Sequence, residues 1–94
     1  MFKYVGLVQL TPEGRETLEK APEYLEKFRT IIEEEKGILD DVYAVMGPWD
    51  FIALVQYPDN EAAFRVLGKI AKLPFFETET FPAEEVELFV KAFV

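Results

Sequence analysis

The chain has 94 residues, enough for one domain, and half of them are hydrophobic and 15% aromatic, which is ample material for a core. Its 18 acids against 10 bases give a net charge of −8; no basic run offsets it, so nucleic acid is excluded as a partner. Cysteine and histidine are both absent, which removes a disulfide framework, a thiolate metal site, a thiol nucleophile and the commonest general base.

Residues Phe2 to Leu10 predict a first strand. Tyr4, Gly6, Val8 and Leu10 share one face, and Val5 and Leu7 lie on the other. Thr11-Pro12 is a helix start, with Thr as cap and Pro at the first helical position. Gly14 and Pro22 interrupt the pattern that follows, which predicts a short piece, a break near Ala21-Pro22 and a longer helix. Leu18, Ala21, Leu25, Phe28 and Ile32 recur at helical spacing and predict its buried stripe. Gly37 is expected in the left-handed position that closes the helix. Glu33, Glu34 and Glu35 oppose the helix dipole there, which marks them as candidates for a partner contact.

Two further strands are predicted at Ile38 to Met46 and Phe51 to Tyr57, joined by a hairpin at Gly47-Pro48-Trp49-Asp50. Both runs are apolar at nearly every position, so each needs cover on two faces. Pro58 stops the second, and Asp59 caps a helix with Ala63, Val66, Leu67, Ile70 and Leu73 inward and Arg65, Lys69 and Lys72 outward. Phe75 to Phe81 predicts a fourth strand. Pro82-Ala83-Glu84 opens a last helix, with Val86, Phe89, Val90 and Phe93 expected inward.

This order is β-α-β-β-α-β plus a helix, an α+β chain of the ferredoxin-like arrangement. It predicts an antiparallel sheet of order 4-1-3-2 with the helices on one face. The other face would carry some of Tyr4, Val5, Leu7, Val8, Ile52, Ala53, Leu54 and Val55, a large apolar patch. A second copy stacked on it would bury that patch, so a homodimer or higher homo-oligomer, a dimeric α/β barrel, is expected. No apolar run approaches the ~20 residues of a membrane span. The first residues, Met1 to Val5, lack a basic leader and begin at once as a strand. A cytoplasmic protein without membrane partners or cofactors is expected.

From Tyr4 through about Phe81 the chain resembles the GYD family. The resemblance rests on Tyr4-Val5-Gly6-Leu7-Val8, the Leu10-Thr11-Pro12-Glu13-Gly14 turn, the Ala21-Pro22 break, Val42-Tyr43, Gly47-x-x-Asp50, Pro58-Asp59-Asn60-Glu61-Ala62-Ala63 and Thr78-x-Thr80. In the triplet that names the family, Trp49 stands here where a Tyr would be, keeping a large ring but moving its polar atom. The hairpin and the Thr-x-Thr strand also look like the effector-binding domain of leucine- and asparagine-responsive regulators. That second likeness implies an amino-acid-like ligand at a subunit interface near the hairpin.

The candidate ligand-binding residues are Tyr43, Gly47, Trp49, Asp50, Thr78 and Thr80. Each has a plainer alternative. Pro48 and Asp50 suit a tight turn, although a turn tip does not need the chain's one tryptophan. Glu77 and Glu79, opposite the two threonines, suit a solvated edge strand, as do Asp40 and Asp41. Tyr4, Tyr43 and Tyr57 suit a core with polar tips, and Arg65, Lys69 and Lys72 a solvated helix face. No catalytic or metal-binding residue is assigned. The leading expectation is a homo-oligomer that binds a small molecule or an assembly partner near the hairpin. A cofactor-free enzyme working in a cleft between sheet and helices, and a purely structural assembly protein, are the alternatives.

Overall fold

A computed structural model describes all 94 residues. In chain order the elements are β1 (Phe2–Leu10), α1 (Pro12–Glu16), a single 3-10 turn (Leu18–Lys20), α2 (Ala21–Glu34), β2 (Ile38–Ala44), β3 (Phe51–Tyr57), α3 (Asn60–Ala71), β4 (Phe76–Ala83) and α4 (Val86–Lys91). The strands form one antiparallel sheet in the order β2-β3-β1-β4. This is the ferredoxin-like order expected from the sequence.

Strand alternation decides what each face carries. On the helix side, Tyr4, Val8 and Leu10 of β1 and Ala53, Val55 and Tyr57 of β3 meet Phe28 and Ile32 of α2 and Ala63, Val66 and Ile70 of α3. Both helix starts are capped as their sequences predict. Thr11 accepts from the Gly14 amide at 3.1 Å and Asp59 from the Ala62 amide at 2.7 Å. No helix is long and apolar enough to cross a membrane.

Several details differ from expectation. In α2 the buried stripe is Tyr24, Phe28 and Ile32, while Leu18 is exposed and Ala21 and Leu25 only half-buried. The 3-10 turn breaks the helical phase between Leu18 and Ala21, so the helix restarts with Tyr24 inward, its ring stacked on Phe75 at 3.9 Å. The left-handed residue that closes α2 is Lys36, at φ 61°, not Gly37. The Lys36 amide donates to the Glu33 carbonyl and the Gly37 amide to Ile32, which is the Schellman pattern set one residue early. Gly37 is needed for closeness instead, since a Cβ there would lie 2.8 Å from both Ile32 and Tyr57.

The acids at the end of α2 have partners within the chain. Glu35 accepts from Arg65 at 2.7 Å and from Lys69 at 3.1 Å, and Glu34 meets Lys69 at 3.4 Å. The two helices are thus bridged, and part of the basic stripe on α3 is used. β2 ends at Ala44, two residues short of the predicted end, after a bulge between Leu39 and Asp41. β4 is displaced to Phe76–Ala83, and it includes Pro82, which an edge strand tolerates. The largest departure is α4. Val86, Phe89, Val90 and Phe93, expected inward, are all exposed, because α2 and α3 already cover the helix side of the sheet.

Candidate functional site

The β2–β3 hairpin sits at the end of the sheet where β1 finishes. Gly47 adopts φ 136°, a conformation open to glycine alone, with nothing around it that a side chain would meet. The turn is laced to β1. The Asp50 amide donates to the Val8 carbonyl at 2.9 Å, and the Gln9 side chain donates to the Pro48 carbonyl at 3.1 Å. The Asp50 carboxylate does not turn back onto the turn's own amides. It accepts from the Leu10 amide at 2.8 Å and from the Arg15 guanidinium at 3.1 Å. Asp50 therefore joins three segments: the hairpin, the end of β1 and α1. Trp49 beside it is half-buried.

The six sequence-derived site residues do not converge. Gly47, Trp49 and Asp50 share the hairpin. Tyr43 lies on the opposite face of the sheet from the helices, paired with Ile52 and 54% exposed. Thr78 and Thr80 pair with Val8 and Gly6 of β1 and face the helices. There they line a cleft with Gly6, Val55, Tyr57, Leu67 and Ile70, into which neither Asp50 nor Tyr43 reaches. No group of three or more acidic side chains is gathered closely enough to hold a metal ion.

Away from the helices, Val5 and Leu7 of β1, Ile52 and Leu54 of β3 and Phe81 of β4 form an open apolar face. Its flanks are charged: Asp41 on β2, and Glu77 and Glu79 on β4. At the far end from the hairpin, Lys3 on this face forms an ion pair with Glu85, at the root of α4. The pair raises the Lys3 pKa and lowers that of Glu85, each through the hydrogen bond first and charge second. Beyond that root α4 projects as an arm. Phe89 and Phe93 pack edge to face on one another at 5.0 Å, yet remain 66% and 72% exposed.

The model of the GYD domain matches residues 4–93, almost the whole chain and the arm included. The chain belongs to the GYD domain family. A Thermus thermophilus relative of similar length, named "Glutamine synthetase and cystathionine beta-lyase binding protein", is 32% identical over 84 residues, 88% of each chain. Among solved structures, this GYD chain resembles the Thermus thermophilus protein TTHA0845 at 26% identity and TM-score 0.59, covering 90% of this chain and 95% of that one. It also resembles MtbAldR at 20% identity and TM-score 0.69, a likeness of fold that covers 89% of this chain and 52% of the other. The GYD domain here is thus a ferredoxin-like unit with an apolar sheet face and an apolar arm, both uncovered.

Neither the Schellman shift nor the exposed arm was evident from sequence. One signal for the arm was present: Val86, Phe89, Val90 and Phe93 are apolar while Glu84 and Glu85 just before the short helix and Glu87 within it crowd them with charge. Two helices already cover one face of the sheet, so a third found no place on that side.

Proposed function

We propose that this GYD protein is a non-enzymatic binding module, a homodimer through its open sheet face that docks on a larger protein through α4. The observation that carries this reading is the arm. Val86, Phe89 and Val90 of α4, with Phe93 in the turn just past its end, stand at i, i+3, i+4 and i+7, the anchor spacing of a helix that lies in a partner's groove. All four are exposed, and Glu84, Glu85 and Glu87 flank them, so the fitting groove is apolar with a basic rim. By analogy with the Thermus relative, the partner is an enzyme of nitrogen or sulfur amino-acid metabolism, glutamine synthetase or cystathionine β-lyase being the first to try. The open face suits a second copy. Its Val, Leu and Ile side chains are self-complementary, and a standard contact buries ~800 Å² per partner. A cytoplasmic setting follows from such partners.

The test uses the full chain and a variant ending at Glu85. Sedimentation reads self-association, and calorimetry with each of the two purified enzymes reads docking. The expected result is that the shortened chain remains a dimer and loses docking. Retained docking removes the arm from the role. A monomeric shortened chain assigns the arm to the dimer instead.

A second reading keeps an effector at the hairpin, with Tyr43, Gly47, Trp49, Asp50, Thr78 and Thr80 gathered across a subunit boundary. Half-buried Trp49 favours it. Its emission should then shift when an amino-acid effector is added, and an unresponsive Trp49 ends that reading.

A further inference from the structure

The cleft between the sheet and α3 has a shape and a chemistry of its own. Its floor is Gly6, the one helix-facing position of β1 that carries no side chain. One wall is Thr78 and Thr80 of β4, and the roof is Leu67 and Ile70 of α3. This inner space is about 10 Å³, the size of a single oxygen-bearing group. It adjoins an outer chamber of about 200 Å³ bounded by Tyr4, Asn60, Ala63, Phe64, Leu67, Thr80 and Pro82. Leu67 and Thr80 are common to both. By the same measure the outer chamber is about twenty times larger, room for the body of a small molecule.

Tyr57 supplies the decisive detail. It is 4% exposed, and its hydroxyl has no hydrogen-bond partner in the chain. No enclosed side-chain polar atom lacks a partner, so the Tyr57 oxygen keeps some contact with solvent, and Tyr57 is among the residues that line the inner cleft. The hydroxyls of Thr11, Thr17 and Thr30 bond within the chain, whereas those of Thr78 and Thr80 remain available to a guest. In the outer chamber Tyr4 donates to Asn60 at 2.7 Å, which leaves the Asn60 amide group as a donor. A hydroxyl with no partner in the chain can bond a guest without first breaking a hydrogen bond of the protein.

We infer that this cleft is a binding site for a small uncharged molecule with an apolar body and one hydroxyl or carbonyl group. The polar end enters the inner space beside Tyr57, Thr78 and Thr80, and the body fills the outer chamber against Ala63, Phe64, Leu67 and Pro82. The absence of charge in the guest follows from the lining, which contains no acidic or basic side chain. Burial first, and the neighbouring Tyr4 second, push the Tyr57 pKa up to about 12, so its hydroxyl keeps its proton and can donate. A carboxylate would enter with nothing to balance it. This site is separate from both the hairpin and the arm.

The experiment is an amide NMR titration of the full chain with four probes built on one ring: cyclohexanol, cyclohexanone, methylcyclohexane and cyclohexanecarboxylate. Cyclohexanol and cyclohexanone are expected to give saturable shifts at Gly6, Leu67, Thr78 and Thr80. Methylcyclohexane should bind at least about five-fold more weakly, consistent with one lost hydrogen bond. The carboxylate should not bind. Gly6→Ala puts a methyl group into the floor, where its nearest neighbour is the Ala53 Cβ at an ordinary 3.7 Å, so the variant folds and should lose the shifts. Tyr57→Phe should weaken the two polar probes to the level of methylcyclohexane. Three results overturn the inference: no saturable shift up to millimolar probe, shifts unchanged in Gly6→Ala, or the carboxylate binding as tightly as the alcohol.

Discussion

Asp50 shows how a single carboxylate can belong to the fold even where it looks like part of a site. It accepts from the Leu10 amide and from Arg15, so removing it leaves a partly buried backbone donor unpaired. Asp50→Ala should cost about 1–3 kcal/mol in urea unfolding, the usual penalty for such an orphan. Asp50→Asn keeps an acceptor and should cost less than half of that. Arg15→Ala should cost under ~1 kcal/mol, because that pair is surface-exposed. A loss at Arg15 as large as that at Asp50 would mean that the ion pair, not the amide, holds the corner. The end of α2 offers the opposite case. Lys36 holds a left-handed φ of 61° that costs an L-residue roughly 1–2 kcal/mol, so Lys36→Gly should raise stability by ~0.5–1 kcal/mol. Gly37→Ala should lower it by about 1–3 kcal/mol, since its Cβ would meet Ile32 and Tyr57 at 2.8 Å. The sequence names a glycine at this helix end but not which of its two properties is used. Freedom of φ and absence of a side chain look alike in one letter.

At the scale of elements, strand alternation and capping were readable because they are local. Tyr4, Gly6, Val8 and Leu10 turn to one face by the period of the strand alone. The stripe of α2 was misread because its phase depends on a break whose geometry lies in the backbone between Thr17 and Ala21. The partners of Glu34 and Glu35 were hidden for another reason: Arg65 and Lys69 lie about thirty residues on, and only the packing of α3 beside α2 brings them together. That bridge has a pH signature. Hydrogen bonds from Arg65 and then Lys69 hold the Glu35 pKa below its ordinary 4.5. A depressed carboxylate stabilises the fold at pH above its unfolded value, and that stability is lost as pH falls through the folded one. The bridge should therefore contribute fully at neutral pH and fade below about 4.5. Urea midpoints measured from pH 7 to pH 3 should fall less steeply for Glu35→Gln than for the parent chain. Equal slopes would show that the bridge adds nothing to the native state.

For the whole molecule, the two edges of the sheet decide what kind of assembly is open to it. β2 carries a bulge beside Asp40 and Asp41, and β4 carries Glu77, Glu79 and Pro82. Bulges, charges and proline all oppose pairing at an edge, so copies cannot add strand to strand indefinitely. The apolar face is free, and contact through one face about a two-fold axis closes on itself. The expected product is a finite dimer, with no appreciable monomer by sedimentation at micromolar concentration and no growth to larger species on prolonged concentration. A stable micromolar monomer would remove the face from consideration as an interface. The topology behind this was legible in the sequence, because element order and crossover length fix it. The fate of α4 was not, because its exposure depends on how much of the sheet α2 and α3 had already taken.

The arm also has a kinetic consequence. α4 is a helix of six residues, and isolated helices shorter than ~12–15 residues are marginal in water. The Lys3–Glu85 pair at its root is the one side-chain ion pair that ties it to the sheet. Its amide protons should therefore exchange with solvent orders of magnitude faster than those of β1 and β3. A groove that receives the arm must also supply the order the arm lacks. Capture then couples winding to docking, so a large apolar contact yields only moderate affinity and releases readily. Under the docking proposed for the arm, such a tether would attach and release readily.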